Sequence, residues 1–377
     1  MPTPHILHLH STFDLGGKEW RAVRLMNAWG AKARHTIVSA MPERTGAMAA
    51  VAKGVPVEIA QDPPPLTGRP SVARYEAIAR YARRFDLVLT YNWGAIDGVM
   101  AARTFGRGMP AVIHHEDGFN EDEAARLKPE RNIYRRIALP AAKALVVPSA
   151  VLEGIARGTW KQPAARVRRI ANGIDTRLYA AKPSAGAIPG FRRKEGETVV
   201  GVIAGLRAVK NLPLLVRALG GVAAPVRLVI AGDGPERATI AQAAAAMGLA
   251  DKVHFAGFLS EPHKWVGLFD IVALSSLSEQ FPVSVVEAMA AGLPVVSTPV
   301  GDVAEMVAEE NRPFVVPHHD EVALRNAIED LARDPELRRT IGAANQARAR
   351  AFYDERAMID AYAALYASAM RRPGVLD

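Results

Sequence analysis

The sequence contains no cysteine among its 377 residues. This absence excludes disulfide bonds, thiolate chemistry and cysteine-ligated zinc, and it fits a reducing compartment. Although 49% of the residues are hydrophobic, no run approaches the about 20 apolar residues that a membrane-spanning helix needs. The first residues, MPTPHILHLHSTF, lack a basic end followed by an apolar core, so we expect no signal peptide. The composition predicts a soluble globular protein of the cytoplasm.

Acidic residues are scarce in the first half of the chain. Residues 1–185 carry 27 Lys and Arg against 16 Asp and Glu, whereas residues 186–377 carry 20 against 23. Much of the positive charge lies in KPERNIYRRIALPAAK, where basic side chains surround a helical apolar pattern. Such a helix could rest on the anionic inner face of a membrane, or it could be a solvated basic face over an ordinary core stripe. No aromatic platform or recognition motif accompanies the charge, so we expect no nucleic-acid partner.

The length and the order of the segments predict two α/β domains. A chain of 377 residues exceeds one ordinary core, since domains typically hold about 100 to 200 residues. Strand-like and helix-like segments alternate throughout, which is the pattern of parallel sheets. The strand candidates are residues 5–10, 36–40, 55–60, 87–91, 111–115, 144–149, 166–170, 198–204, 226–232, 252–257, 271–276 and 294–298.

The domain boundaries follow from a change in composition. Residues 176–197 are rich in Pro, Gly and charge and are predicted to link the domains. We therefore expect one domain over residues 1–180 and a second over residues 181–353. A last helix, about residues 354–370, is expected to pack back on the first domain.

The most informative segment is EQFPVSVVEAMAAGLPVVSTPVG, which carries Glu279 and Glu287. Pro282 suits the first turn of a helix because it lacks the N–H that would go unsatisfied there, and Gly292 suits the end of that helix. Glu279 then lies in the loop before the helix and Glu287 in its second turn. The free N–H groups near Val283 and Ser284 could hold an anion, so two hydroxyl acceptors would flank a phosphate site. The alternative is a solvated helix face with two acids.

Loops that follow the other strands also carry candidate residues, because open parallel sheets bind ligands at the carboxyl ends of their strands. Gly16 and Gly17 would let the backbone approach a ligand, or they simply form a tight turn. Arg207 and Lys210 suit a diphosphate, Arg as a fork and Lys as a point charge. Gly232, in AGDGPER, alone indicates only a turn between strand and helix.

The segment HHEDGF requires a test for metal binding. Contiguous strand residues alternate between faces, so His115 and Asp117 would share one face while His114 and Glu116 share the other. Two converging ligands are too few for a metal site. A catalytic or substrate-hydroxyl role is therefore the better interpretation for one or two of them.

Together these motifs resemble the retaining glycosyltransferases of family 4, over nearly the whole chain. The resemblance rests on Gly16 and Gly17, NGID at 172–175, Arg207 and Lys210, GDGP at 232–235, and above all the acidic pair in EQFPVSVVEAMAAGLPVV. It implies the GT-B fold, in which two doubly wound, Rossmann-like domains face a central cleft. It also implies an acceptor-binding first domain and a donor-binding second domain.

The resemblance assigns roles to individual residues. Glu279 would contact donor-sugar hydroxyls and Glu287 the ribose, while Arg207, Lys210 and the backbone near Phe281, Pro282, Val283 and Ser284 would hold the diphosphate. Two departures stand out. Leu206 lies between Gly205 and the arginine, and Asp117 stands where relatives often have a histidine. Asp117 is therefore the first choice for the catalytic group of the first domain and His115 the second.

The expected activity is transfer of a hexose-type sugar from a nucleotide diphosphate donor to an acceptor hydroxyl, with retained anomeric configuration and without metal or other cofactor. The expected acceptor is a saccharide or lipid-linked saccharide of polysaccharide, lipopolysaccharide or glycolipid synthesis. Three alternatives remain: a nucleotide-sugar epimerase or hydrolase, a glycogen- or sucrose-type synthase, although such chains are typically longer, and a non-catalytic nucleotide-sugar-binding protein.

Overall fold

The computed structural model describes residues 2–119, 121–124 and 126–377. The chain divides into two compact units. The first unit comprises the residues up to Asn172 together with Ala357–Asp377, and the second comprises Gly173–Arg356. Residue 180, the expected end of the first domain, lies inside the second unit. None of the helices in the described ranges combines the length and the apolar character needed to cross a membrane.

The first unit is built on a parallel sheet of seven strands in the order β3-β2-β1-β4-β5-β6-β7. The strands are β1 (His5–His10), β2 (Arg34–Ser39), β3 (Val57–Ile59), β4 (Leu87–Tyr91), β5 (Ala111–His115), β6 (Ala144–Val147) and β7 (Val167–Arg169). The helices between them are α1 (Gly17–Trp29), α2 (Val72–Ala82), α3 (Asp97–Phe105), α4 (Glu121–Ala124), α5 (Pro129–Ala138) and α6 (Ala150–Gly158). The central strands β4 and β6 are apolar runs without an exposed residue, because helices cover both faces of the sheet.

The second unit contains a parallel sheet of five strands in the order β10-β9-β8-β11-β12. The strands are β8 (Thr198–Ile203), β9 (Val226–Ala231), β10 (Val253–Gly257), β11 (Ile271–Leu274) and β12 (Val295–Ser297). The helices are α7 (Leu212–Gly220), α8 (Arg237–Ala246), α9 (Val283–Ala290), α10 (Val303–Met306), α11 (Glu321–Arg333) and α12 (Pro335–Phe352). All twelve strand candidates from the sequence correspond to strands in the structure.

The proline-rich segment 176–197 is part of the second unit and not a separate linker. It contains a short 3-10 helix, Thr176–Ala180, and it buries Tyr179, Ile188 and Phe191. These apolar side chains give the segment a packed position that its Pro and Gly content does not indicate.

The last helix, α13 (Glu355–Ala369), returns the chain to the first unit from Ala357 onward. Tyr362 and Tyr366 are fully buried there, in one cluster with Met26, Trp29 and residues of the central strands. The core of the first unit is therefore made from two distant parts of the chain.

Candidate functional site

In the second unit the strand order changes direction between β8 and β11, the kind of switch point where open α/β sheets bind ligands. The loops that follow these two strands are hydrogen-bonded to each other. Ser275 Oγ donates to the Lys210 carbonyl at 3.0 Å, and the Leu277 N–H donates to the Val209 carbonyl at 2.8 Å. The loops that carry the predicted cations and the first predicted acid thus form one connected element.

Lys210 and Glu279 form an ion pair at this switch point. Lys210 ends a single 3-10 turn, Ala208–Lys210, after which Asn211 adopts a left-handed conformation with φ 48°. The Ser276 hydroxyl donates to the same carboxylate oxygen of Glu279 at 2.8 Å. The two charged side chains are 13% and 14% exposed, so they face a partly desolvated position that a ligand can still reach. Ser276 had no distinguishing signal in the sequence.

Helix α9 begins one residue later than its sequence predicts. Pro282 is the N-cap residue, Val283 is the first helical residue, and Gly292 follows the helix end with φ 75°. Glu287 lies in the second turn and is half-buried, as are Val283 and Ser284 at the open N-terminus. An added Cβ on Gly301 would lie 2.3 Å from the Gln280 carbonyl, so that glycine lets the chain after β12 support the loop that precedes α9.

Two further predicted residues lie beside this element. Arg207 is exposed and immediately precedes the 3-10 turn, while Leu206 is buried and its N–H donates to the Asp233 carbonyl at 2.9 Å. Gly232 has φ 149°, and an added Cβ would lie 1.8 Å from the Ala204 carbonyl. Gly232 is therefore required by close packing between the loops after β8 and β9. Its predicted contact with a donor stays a prediction, as does that of Phe281, whose ring lies edge-on to Tyr353 at 5.7 Å.

In the first unit, Gly16 is the N-cap of α1 and Gly17 is its first residue. The Glu19 carboxylate lies at the same helix end, 2.8 Å from where a Cβ on Gly16 would be, and it pairs with Lys18. Burial raises the pKa of Glu19, while the neighbouring Lys18 opposes that rise. This helix end therefore already holds a carboxylate, and a donor contact of the two glycines stays a prediction.

Asp117 is held by a buried arginine. Arg21 binds both of its carboxylate oxygens, with Nη2 at 2.8 Å from Oδ2, and it also donates to Asn172 at 3.1 Å. The backbone N–H of Asp117 donates to Asn92 Oδ1 at 2.7 Å. Arg21 lies 96 residues before Asp117, and no sequence spacing connects them. In the predicted first choice for a catalytic group, Arg21 thus holds the carboxylate and Asn92 holds the backbone.

His115 is fully buried in the first unit. Its Nδ1 donates to the Thr90 carbonyl at 3.2 Å, and its Nε2 accepts from the Tyr366 hydroxyl at 2.7 Å. Burial, reinforced by the charge of Arg21, lowers the pKa of His115 well below its usual value. The sequence predicted that His115 and Asp117 share one strand face. That expectation does not hold, because β5 ends at His115 and the alternation of faces ends with the strand. A direct contact of His115 with a substrate has no support in this placement.

A small cavity lies at the corresponding switch point of the first unit, between the loops that follow β1 and β4. Its volume is about 90 Å³, and its walls include Trp93, Phe119, Asn92 and Ser11. Its charged lining is paired: Arg135 Nη1 is 3.1 Å from Glu123 Oε1. Sequence patterns gave no sign of this cavity, because its walls come from separate loops. Within the described ranges, no three His, Asp or Glu side chains form a group that could hold a metal ion.

Comparison with known proteins identifies two matching family models. "Glycosyltransferase Family 4" matches residues 15–178, and "Glycosyl transferases group 1" matches residues 187–348. Among curated relatives, the N-acetyl-alpha-D-glucosaminyl L-malate synthase of Bacillus anthracis is 27% identical over 183 residues, 48% of either chain. The 2-deoxystreptamine N-acetyl-D-glucosaminyltransferase of Streptomyces fradiae is 37% identical over 120 residues, 30% of this chain and 28% of the relative. The chain thus spans about half, or less, of the length of the curated relatives it matches.

Solved structures show the same fold over the whole chain. HepE of Anabaena, in complex with UDP and glucose, superposes with a TM-score of 0.78 at 23% identity, covering 97% of this chain and 100% of that one. WaaG, a glycosyltransferase involved in lipopolysaccharide biosynthesis, gives a TM-score of 0.70 at 15% identity, covering 98% and 100%. The two Rossmann-like units define an α/β protein of the GT-B class.

Within that class, the chain belongs to the family 4-like glycosyltransferases, the glycosyl transferases group 1. The two family models meet near the division between the units and together account for most of the sequence. This membership agrees with the resemblance seen in the sequence motifs.

Proposed function

We propose that the protein is a retaining, metal-independent glycosyltransferase that moves a hexose-type sugar from a nucleotide diphosphate sugar to an acceptor hydroxyl. The observation that carries this proposal is the pairing of Lys210 with Glu279 beside the open N-terminus of α9, at the switch point of the second unit. This arrangement puts a carboxylate, a cation and unsatisfied backbone N–H groups in one place. A sugar bears hydroxyl donors and a diphosphate bears anionic acceptors, so the two parts of a donor match the two parts of the site.

The proposed chemistry assigns one task to each group. Glu279 accepts hydrogen bonds from donor-sugar hydroxyls, and Glu287 accepts from the ribose. Lys210, Arg207 and the N–H groups of α9 stabilise the negative charge that develops on the diphosphate as the anomeric C–O bond breaks. The acceptor oxygen forms the new bond on the same face of the sugar, and its proton passes to the departing phosphate oxygen. These cations supply the compensation that a divalent metal would otherwise give.

Lys210 is expected to link sugar recognition to departure of the diphosphate. In the structure its ammonium group is paired with Glu279, and together with Ser276 it orients the carboxylate. When a donor binds, the same ammonium group lies between the sugar-binding carboxylate and the diphosphate. One cation would then serve both halves of the donor.

The first unit is the proposed acceptor-binding part. The loops around its small cavity carry the aromatic side chains of Trp93 and Phe119 and the polar side chains of Asn92 and Ser11, which are types of side chain that contact sugars. Asp117 lies in the same loop region, two residues before Phe119. Relatives include the lipopolysaccharide core biosynthesis glycosyltransferase LpsD of Rhizobium meliloti, 30% identical over 139 residues. We therefore propose an acceptor of the saccharide or lipid-linked saccharide class, used in cell-surface polysaccharide, lipopolysaccharide or glycolipid synthesis at the cytoplasmic side of the membrane.

The first experiment is a thermal-shift screen with UDP-, GDP-, ADP- and dTDP-sugars, followed by transfer assays with the donor that binds. A donor at 100 times its dissociation constant should raise the stability by about 2.7 kcal/mol. Transfer should persist after exhaustive chelation, and the product should keep the anomeric configuration. Donor turnover that needs no acceptor would indicate an epimerase or hydrolase, and stabilisation without any product would indicate a binding protein. A strict magnesium requirement would contradict the proposed mechanism.

A matched pair of variants tests the role of Glu279. Glu279→Ala removes the predicted sugar contact and should lower both the transfer rate and the discrimination between donor sugars. Glu336→Ala, which removes an ion-paired glutamate at the exposed start of α12, should leave transfer unchanged. Equal activity of the two variants would place the sugar elsewhere.

A further inference from the structure

The face of the first sheet that packs against α2 becomes polar at one end. Leu7 of β1 and Val38 of β2 belong to the apolar cluster on this face. Side chains alternate between the two faces of a strand, so His5 and Thr36, two residues earlier on the same strands, lie on this face as well. The parallel register places Glu58 of β3 opposite Thr36. Polar side chains from three neighbouring strands therefore meet at this end of the sheet.

These three side chains form a chain of hydrogen bonds. The Thr36 hydroxyl donates its only hydrogen to Glu58 Oε1 at 2.9 Å, so His5 Nε2, which is 2.8 Å from the same hydroxyl oxygen, is the donor of the second bond. Burial, reinforced by the charge of Arg34, lowers the pKa of His5 and keeps its ring neutral at neutral pH. With Nε2 protonated, His5 Nδ1 is an acceptor. Neither this nitrogen nor Glu58 Oε2 has a protein partner within the described ranges.

A cavity of about 440 Å³ lies over this chain of hydrogen bonds. The chain forms one wall, and the end of α2 with the turn after it forms another, which comprises Tyr81, Arg84 and Phe85. A second cavity, of about 380 Å³, shares Tyr81 and Arg84 with the first and adds Arg80. Both volumes are typical of ligand pockets, which hold about 300 to 1,000 Å³. We name the two adjoining cavities the β3–α2 groove.

The wall that the two cavities share supplies a cation. Arg84 is exposed, and its guanidinium group lies over the Tyr81 ring at 3.9 Å. Its Nε donates to the Tyr81 carbonyl at 3.3 Å, and in the part of the chain that the structure describes no carboxylate pairs with it. Contact with the ring holds the guanidinium group in place while its remaining N–H groups stay available for an anion.

We propose that the β3–α2 groove binds an acidic saccharide, a sugar that carries a carboxylate or a phosphate. The sugar hydroxyls donate to Glu58 Oε2 and His5 Nδ1, and the acidic group accepts from Arg84. Acceptors on two different strands require several donors spaced along the ligand, which the hydroxyls of a sugar ring supply. An amino acid also carries an acid but has only one ammonium group, so it matches fewer of these atoms.

The groove is distinct from the sites that the proposed function uses. His5 begins β1, whereas Ser11, which lines the small cavity at the switch point, follows the end of that strand. The groove and the small cavity therefore lie at opposite ends of β1. The inference goes beyond the proposed function and does not rest on it.

The test is calorimetry on the full chain with glucuronate, glucose 1-phosphate, glucose and glutamate. At least one of the two acidic sugars should bind roughly tenfold or more tightly than glucose, which has no group for Arg84, because a hydrogen bond to a charged group is gained. It should also bind more tightly than glutamate, which lacks the hydroxyls. The tighter of the two acidic sugars identifies the acidic group that Arg84 takes.

Variants locate the binding in the groove. Glu58→Gln and Arg84→Gln should each weaken binding of the acidic sugar roughly tenfold, because each removes a hydrogen bond to a charged group. Glu43→Gln, at an exposed glutamate of the same unit, makes the same change of charge outside the groove. Arg83→Gln does so at the neighbouring exposed arginine, which donates to two backbone carbonyls instead. Both controls, and Lys210→Ala in the second unit, should bind like the unchanged protein.

Three results would overturn the proposal: neither acidic sugar binding more tightly than glucose and glutamate, equal losses in the groove variants and their controls, or loss of binding in Lys210→Ala. Nucleotide-sugar binding by the same proteins separates this inference from the proposed function. Binding of the acidic sugar without binding of any nucleotide sugar would refute the proposed function alone. Binding of a nucleotide sugar without binding of an acidic sugar would refute the β3–α2 groove alone.

Discussion

The switch points of both units carry charged side chains, but the two units bury these side chains to different extents. In the first unit, Arg21 and Arg135 are buried and matched to carboxylates. In the second unit, Lys210 and Glu279 are partly exposed and Arg207 is exposed. A buried pair fixes the geometry of a loop, whereas a partly exposed pair can exchange its partner for a ligand. Similar residues at equivalent edges of the two sheets therefore hold loops in place in the first unit and stay partly exposed in the second.

The largest expected effect comes from breaking a buried pair of the first unit. Arg135→Ala leaves Glu116 and Glu123 buried without their shared cation, which should destabilise the first unit by about 3–5 kcal/mol. Arg131→Ala removes a partly exposed partner of Asp122 and Glu123 and should cost about 1 kcal/mol or less. Urea unfolding followed by tryptophan fluorescence measures both variants, since Trp20, Trp29, Trp93 and Trp160 lie in the first unit. Similar losses of unfolding free energy in the two variants would mean that the buried pair stabilises the unit no more than the partly exposed pair does.

The next effect tests the second unit. Lys210→Ala should reduce turnover by about 10²- to 10³-fold, because it removes the charge that we propose stabilises the departing diphosphate. Lys264→Ala, which breaks an exposed Lys–Glu pair in the same unit, is the control and should change turnover little. Combined with Glu279→Ala, the loss should be smaller than the two separate losses together, because the residues act as a pair. Strict additivity would contradict the proposed coupling.

Acid should weaken the first unit through its buried histidines. Burial lowers the pKa of His8, His10 and His115 well below their usual value, and it lowers the pKa of His35 to about 3. The unfolded chain takes up these protons below pH 6.5 while the folded unit does not. The contribution of these histidines to the stability is therefore fully present above pH 6.5 and is lost as the pH falls toward 3. Each such histidine contributes a slope of about 1.4 kcal/mol per pH unit.

Urea midpoints at pH 7 and pH 5 measure this slope, with the same tryptophan signal. His35→Gln should flatten the dependence, because it removes one of the protons that unfolding takes up. His35 Nδ1 lies 3.0 Å from His8 Nε2, and His8 Nδ1 lies 3.2 Å from the Tyr91 hydroxyl. A slope that does not change in the variant would show that this histidine is not part of the acid response.

The smallest effect concerns Ser276. Its hydroxyl is uncharged and orients Glu279 through one hydrogen bond. Ser276→Ala should therefore weaken donor binding by about 1 kcal/mol, roughly fivefold. Ser260→Ala in the same unit serves as the control. Calorimetry with the donor identified by the screen gives both values. Unchanged binding in Ser276→Ala would mean that Lys210 alone orients the carboxylate.

The fold could be predicted from the sequence because parallel strands buried on both faces are apolar runs separated by helical periods. The start of α9 was predicted to within one residue, since Pro282 and Gly292 act locally. The proximity of Lys210 and Glu279 was also foreseeable, because both follow strands of one sheet. The pairing of Arg21 with Asp117 was not, because two side chains 96 residues apart have no common period. The burial of His115 was missed for a related reason: its partner Tyr366 lies on a helix at the other end of the chain.

Helix α13 also determines which of the two units can finish folding first during synthesis. The Tyr366 hydroxyl contacts His115 across 251 residues of chain, and at about 5–20 residues per second synthesis of that interval takes roughly 12 to 50 seconds. For most of this time β5 has left the ribosome, whereas Tyr362 and Tyr366, which pack against His115 in the folded unit, have not yet been synthesised. The second unit is continuous in sequence and can close first. Until α13 has been made, the nascent first unit therefore exposes the apolar surface that this helix covers in the folded protein.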